Sequence, residues 1–91
     1  MATERRNKFQ IICDILFLLQ RDTRGVKPTH VLYKVNLSHT KLKEYLTELE
    51  TKGLIYQTNE KGKILYKITD KGLEFVAQIS KINELKNAFG L

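Results

Sequence analysis

Ser38, His39, Thr40, Lys41 and Lys43 fall within six consecutive residues, and Thr47 follows four further on. Two hydroxyls, an imidazole and two ammonium groups in one short run supply hydrogen-bond donors and positive charge. They supply no paired carboxylates and no nucleophile with its base. The chemistry such a set suits is noncovalent: ammonium groups for phosphate oxygens, and short polar side chains for base edges in a duplex major groove. Thr29, His30 and Lys34 form a second polar group upstream, with Arg24 and Lys27 before it; Lys61 and Lys63 form a third downstream. These two groups are suited to gripping the backbone on either side of the first.

The rest of the chain adds no catalytic alternative. It carries no glycine-rich phosphate loop, no HExxH and no GxSxG. His30 and His39 stand nine apart, at the starts of two different predicted helices, and are not spaced to share a metal on one helix face. Cys13 is the only cysteine, so neither an internal disulfide nor a Cys/His metal cluster is expected. Catalysis is not expected, and neither is a cofactor, a metal or a small-molecule ligand.

Charge points the same way as the motif. The formal net charge is +6. Residues 1–43 hold nine Lys or Arg against three acids, while residues 44–91 hold seven of each, so the whole surplus lies in the front half. A one-sided surplus favours a polyanionic partner. Ninety-one residues make one domain with a modest core, for which a dimer that buries further surface is plausible. The longest purely apolar run is Ile15 to Leu19, far short of the ~20 residues of a membrane span. With a polar N-terminus, no membrane partner and a cytoplasmic location are expected, on the nucleoid or in host cytoplasm if the chain is viral.

The elements that must position these groups can be read in order. A first helix is expected from about Arg5 to Arg21, with Phe9, Ile12, Leu16 and Leu19 on one stripe and Ile11, Ile15 and Leu18 on another. Its apolar sector spans roughly 220°, more than one-sided packing needs, so Ile11, Ile15 and Leu18 are expected to meet a second subunit. Arg5, Arg6 and Lys8 cluster at its start, either as a solvated end or as a phosphate contact. After a loop at Gly25, Val26 and Lys27 suit a short strand. Pro28 suits the first turn of a second helix over about Thr29 to Val35, with Val31, Leu32 and Val35 inward. Asn36 can turn left-handed and Leu37 can plug the angle to a third helix.

Ser38 is a good N-cap for that third helix, Leu42, Leu46 and Leu49 draw one apolar stripe along it, and Gly53 closes it. Thr40, Glu44, Thr47 and Thr51 lie on its opposite face. LIYQT and KILYKI then read as two strands about a five-residue polar turn, Asn59 to Lys63. Thr69 and Asp70 open a fourth helix. On it Leu73, Val76 and Ala77 are expected to close the core. Phe75, Ile79, Ile82, Leu85 and Phe89 are expected to form a dimerisation seam with a second copy.

This order is that of a winged helix-turn-helix: mainly α with a small β-hairpin, one domain over residues 1–91, of which 70–89 is a dimerisation helix. The runs IICDIL, GVKPTHVLYKVNLSHTKLKEYLTELETKGLI and YKITDKGLEFV resemble the small archaeal winged-helix DNA-binding proteins, and archaeal viruses carry similar proteins. The most specific part is Tyr33-Lys34-Val35-Asn36-Leu37-Ser38, and the resemblance covers about residues 9–82. It implies a homodimer joined by an antiparallel C-terminal coiled coil. Here that coiled coil would be brief, because the last helix should end near Asn87 to Gly90. Glu44 and Glu48 also put acid on or near the face that would meet DNA. The expected function is sequence-specific or semi-specific double-stranded DNA binding as a homodimeric transcription regulator. The third helix would lie in the major groove and the wing on the adjacent backbone or minor groove. The alternatives are a non-specific architectural protein and a winged helix used for protein–protein contact.

Overall fold

The computed structural model describes residues 6–91. Four helices and one hairpin follow in the order α1 (Lys8–Arg21), α2 (Pro28–Val35), α3 (His39–Thr51), β1 (Ile55–Glu60), β2 (Lys63–Ile68) and α4 (Asp70–Ala88). This is the winged helix-turn-helix fold expected from the sequence.

Helix α1 starts at Lys8, later than the expected Arg5, because Asn7 and Gln10 form a capping box in which each side chain satisfies the other's backbone N–H. Arg5 itself lies outside the described residues. The helix touches α2, β2 and α4 and is the central post of the fold. That changes the reading of its wide apolar sector. Ile15 and Leu18, expected at a partner's surface, are buried in the chain's own core, and Ile11 is half-buried against it. The second cover that the sector needs comes from this chain's own hairpin and last helix.

The loop before α2 does not form a strand. Val26 makes a single antiparallel bridge to Tyr66, with both backbone hydrogen bonds at 2.9 Å. Beside it Gly25, at φ +108°, lies so close to β2 that a Cβ there would sit 2.9 Å from that of Leu65. Strands β1 and β2 pair in register from Ile55↔Ile68 to Glu60↔Lys63. The turn is therefore two residues, Lys61-Gly62, rather than five. Both have positive φ, 54° and 81°, which suits the right-handed twist of a tight hairpin. Asn59 and Glu60 read as turn residues by type but complete the ladder, and the Asn59 side chain accepts from the Gly62 N–H at 3.1 Å.

Helix α4 begins as expected, with the Thr69 hydroxyl accepting from the Gly72 N–H at 3.0 Å and donating to the Gly53 carbonyl at 2.6 Å. Its rotation differs from expectation. Gly72, Val76 and Ile79 form the buried line, while Leu73 is 40% exposed and Ala77 lies in solvent. Ile79, expected on the partner-facing side, is thus part of the domain. Phe75 is half-buried and meets Phe9 edge-on, with ring centroids 6.1 Å apart. Gly72 sets the rotation, because its missing Cβ lets the helix sit directly against the Leu54 carbonyl oxygen and Ile68. From Ser80 onward every residue of α4 is exposed.

Candidate nucleic-acid interface

The turn between α2 and α3 is built by local chemistry. Asn36 takes the left-handed conformation at φ 59°, ψ 58°, and its N–H closes on the Leu32 carbonyl at 2.9 Å. Leu37 packs into the angle, and the Ser38 hydroxyl accepts from the Lys41 N–H at 3.2 Å. Helix α3 then buries Leu42, Leu46 and Leu49, so its other side must face outward. His39, Thr40, Lys41, Lys43, Glu44 and Thr47 are all exposed. Nothing in the described chain walls them off.

The helix is held at both ends and along one flank. At its C-terminus Gly53 takes φ +76°, and the Lys71 ammonium donates to the Lys52 carbonyl at 2.8 Å. The Glu50 carboxylate accepts from the Gln57 amide, 3.0 Å from each oxygen, and so fastens the root of the wing to α3. On the flank, Lys8 of α1 reaches Glu48 at 2.8 Å, and Lys52 stands 3.9 Å from the same carboxylate. The hydrogen bond from Lys8 holds the Glu48 carboxyl below its ordinary range, and the same bond raises the Lys8 ammonium. The pair is complete only while both groups are charged. It breaks as pH falls through the depressed carboxyl, or rises through the raised ammonium.

All thirteen residues expected to contact DNA are exposed, and those that line open hollows do so in three different ones. Thr40, Lys43, Glu44, Thr47 and Glu48 line one shallow open shelf. Lys41 lies over its edge, in a cleft with Lys8, Tyr45 and Glu48, and pairs with Glu44 at 3.7 Å. Lys34 lines a different hollow between α1 and α2, beside Asp14, Phe17 and Arg21, and the structure does not bring it to the shelf. Thr29, His30 and Lys27 sit at the leading end of α2, Ser38 and His39 at that of α3, and Lys61 and Lys63 at the wing tip. Arg24 stands 3.6 Å from Asp22 and is otherwise open.

Two groups have roles that spacing alone does not reveal. Arg6 donates to Asp14 at 2.7 Å and also to the Val35 carbonyl at the end of α2, so it braces the helical corner rather than facing solvent. Lys8 neutralises Glu48. Both contacts join residues far apart in the chain, and no local pattern marks them. Tyr33, in the turn sequence before α3, is 83% exposed on α2, near His30 and Lys34 in sequence. Cys13 is buried, and burial raises its thiol above the ordinary range, with Asp14 adding to the effect. Among the described residues no cluster suited to a metal is present, and no helix is long and apolar enough to cross a membrane.

Comparison with known proteins bears on this geometry. A family profile described as winged helix-turn-helix matches residues 5–87. No curated protein matches the chain by sequence. Among solved structures, the chain is similar to MepR of Staphylococcus aureus, a transcription regulator of the multidrug efflux pump MepA. The TM-score is 0.79 at 18% identity, over 87% of this chain and 61% of that one. A MepR variant bound to an oligodeoxyribonucleotide matches with TM-score 0.77 at 18% identity and the same coverage. Sso10a-2, a DNA-binding protein from Sulfolobus solfataricus, matches with TM-score 0.71 at 24% identity, over 92% of this chain and 85% of that one. The chain spans about three-fifths of the MepR chain, and at these identities the likeness is one of fold.

Proposed function

The chain belongs to the winged helix-turn-helix family, and from that membership we propose that it binds double-stranded DNA as a homodimer and regulates transcription. The observation that carries the reading is the open face of α3. It is a helix anchored at both ends, with its small polar and basic residues outward and its three leucines inward. In the proposed complex Thr40, Lys43 and Thr47 enter the major groove, flanked by Ser38, His39 and Lys41. Thr29, His30 and Lys27 hold phosphates at the start of α2, with Arg24 and Lys34 supplying longer-range attraction. Lys61 and Lys63 carry the wing to the neighbouring backbone or minor groove. DNA-bound MepR and Sso10a-2 support the reading through their shared fold.

The dimer part of the proposal rests on the far end of α4. With Ile15, Leu18 and Ile79 committed to the core, the surface left for a second copy is Ile82, Leu85 and Phe89, with Phe75 and Ile11 at its margin. Two copies related by a two-fold axis would present two α3 helices to a two-fold related site.

Binding to a random duplex, measured at two salt concentrations, tests the proposal. Wild type should bind more weakly at the higher salt. Lys41→Ala should lower affinity and make the log–log salt slope shallower by about 1, the unit expected for one ammonium removed from a phosphate, and adding Lys43→Ala should lower affinity further through a lost base-edge contact. Unchanged affinity and slope would remove both lysines from the interface. A wild type that binds no duplex would end the proposal altogether.

A further inference from the structure

We propose that Glu44 reads the exocyclic amino group of a cytosine in the major groove. The chain would then discriminate C·G-containing sequence rather than coat all duplexes alike. This inference rests on the duplex-binding reading above.

Helix α3 carries three acids, and the structure treats them differently. Glu48 is neutralised by Lys8 at 2.8 Å with Lys52 beyond, and Glu50 is held by the Gln57 amide. Glu44 has only an exposed partner from its own helix, Lys41 at 3.7 Å, and its side chain keeps 62% of its surface open. Such a pair holds its members weakly. At 100° per residue Glu44 points about 170° away from the mean direction of the buried Leu42, Leu46 and Leu49, with Thr40 and Thr47 within about 60° of it, so Glu44 stands near the middle of the outward face. The same three residues line the open shelf.

A carboxylate in that position repels every phosphate and gains nothing from non-specific contact. It can only accept hydrogen bonds, so it can gain only from a donor on a base edge. In the major groove guanine shows two acceptors, and thymine an acceptor and a methyl group. Adenine shows a donor beside an acceptor, and cytosine shows a donor alone. An acceptor-only group therefore fits cytosine N4 and is opposed at adenine by N7. Lys43, which makes no ion pair among the described residues, stands beside Glu44 with the donors that the O6 and N7 of the paired guanine require. The methyl groups of Thr40 and Thr47 bring apolar contact to neighbouring thymines.

Selection from a randomised duplex pool tests the inference, with wild type, Glu44→Gln and Glu44→Ala compared at equal salt. Wild type should enrich cytosine at one fixed position per half-site, by about tenfold over the other bases. Glu44→Gln should move the preference at that position to adenine, because an amide both donates and accepts. Glu44→Ala should flatten the position and bind unselected duplex more tightly than wild type does. Wild type that binds duplex with no fixed cytosine overturns this inference and leaves the duplex-binding reading standing, as does a selected motif that Glu44→Ala leaves unchanged. Wild type that binds no duplex overturns both.

Discussion

Ile82→Asp should halve the mass of the protein in solution and reduce its affinity for a two-fold related DNA site by roughly a hundred- to ten-thousand-fold. Ile82 is 54% exposed, Leu85 58% and Phe89 75%, at spacings of three and four on the part of α4 that lies beyond the core. Together they form an apolar stripe with no cover among the described residues, and in the proposed dimer a second copy of α4 would bury it. An aspartate there would have to enter the seam unpaired, which costs far more than removal of the aliphatic side chain alone. The affinity loss would be this large because, in the proposed dimer, two linked α3 helices would bind the second half-site at a high local concentration that a monomer lacks. The melting transition of the separated monomer should stay close to that of Leu85→Asp, since neither residue supports the core. Mass measurement by light scattering or sedimentation decides the matter: a wild type that is already monomeric at the concentrations used for DNA binding would end the dimer.

Gly72→Ala should lower stability by about 2–3 kcal/mol, or roughly 10–20 °C in melting temperature for a domain of this size. Helix propensity argues for the opposite sign, because alanine in a helix interior is favoured over glycine by about 1 kcal/mol. Steric collision decides the outcome. The added methyl would strike the Leu54 carbonyl oxygen and lie 2.5 Å from Ile68 Cγ1. The Leu54 carbonyl also accepts from the Thr69 N–H at 3.0 Å, so it cannot withdraw without loosening the cap of α4. The helix would have to lift away, uncovering Val76 and Ile79. Thermal unfolding followed by circular dichroism reads the effect, and a variant as stable as wild type would show that α4 tolerates displacement.

These two positions also show where sequence legibility stops. The caps at Ser38 and Thr69, the left-handed Asn36 and the Leu42-Leu46-Leu49 stripe are all readable, because each depends on chemistry within a few helical turns. The rotation of α4 is not. A periodic pattern shows that a helix has an apolar side, but a glycine set against a carbonyl distant in the chain chooses which residues turn inward. Leu73, Val76 and Ala77 belong inside by residue type, whereas the close approach at Gly72 keeps only Val76 of the three in the buried line and adds Ile79. The wide sector of α1 likewise signals a need for cover without saying whose surface supplies it. On the candidate site, side-chain type marks the exposed residues of α3. Only the structure separates Glu48, neutralised from another helix, from Glu44, left open.

The bridge between Val26 and Tyr66 gives the wing a mechanical tie. A free β-hairpin could swing as an arm and adjust to whatever backbone it met. Here β2 is stitched to the loop that carries Arg24 and Lys27, and β1 is fastened to α3 through Gln57 and Glu50. Any tilt of the hairpin base therefore acts on the entry to α2 and on the flank of α3. In the proposed complex the spacing of the three basic groups would then be set largely by these ties, and a DNA site would have to meet it by its own bending.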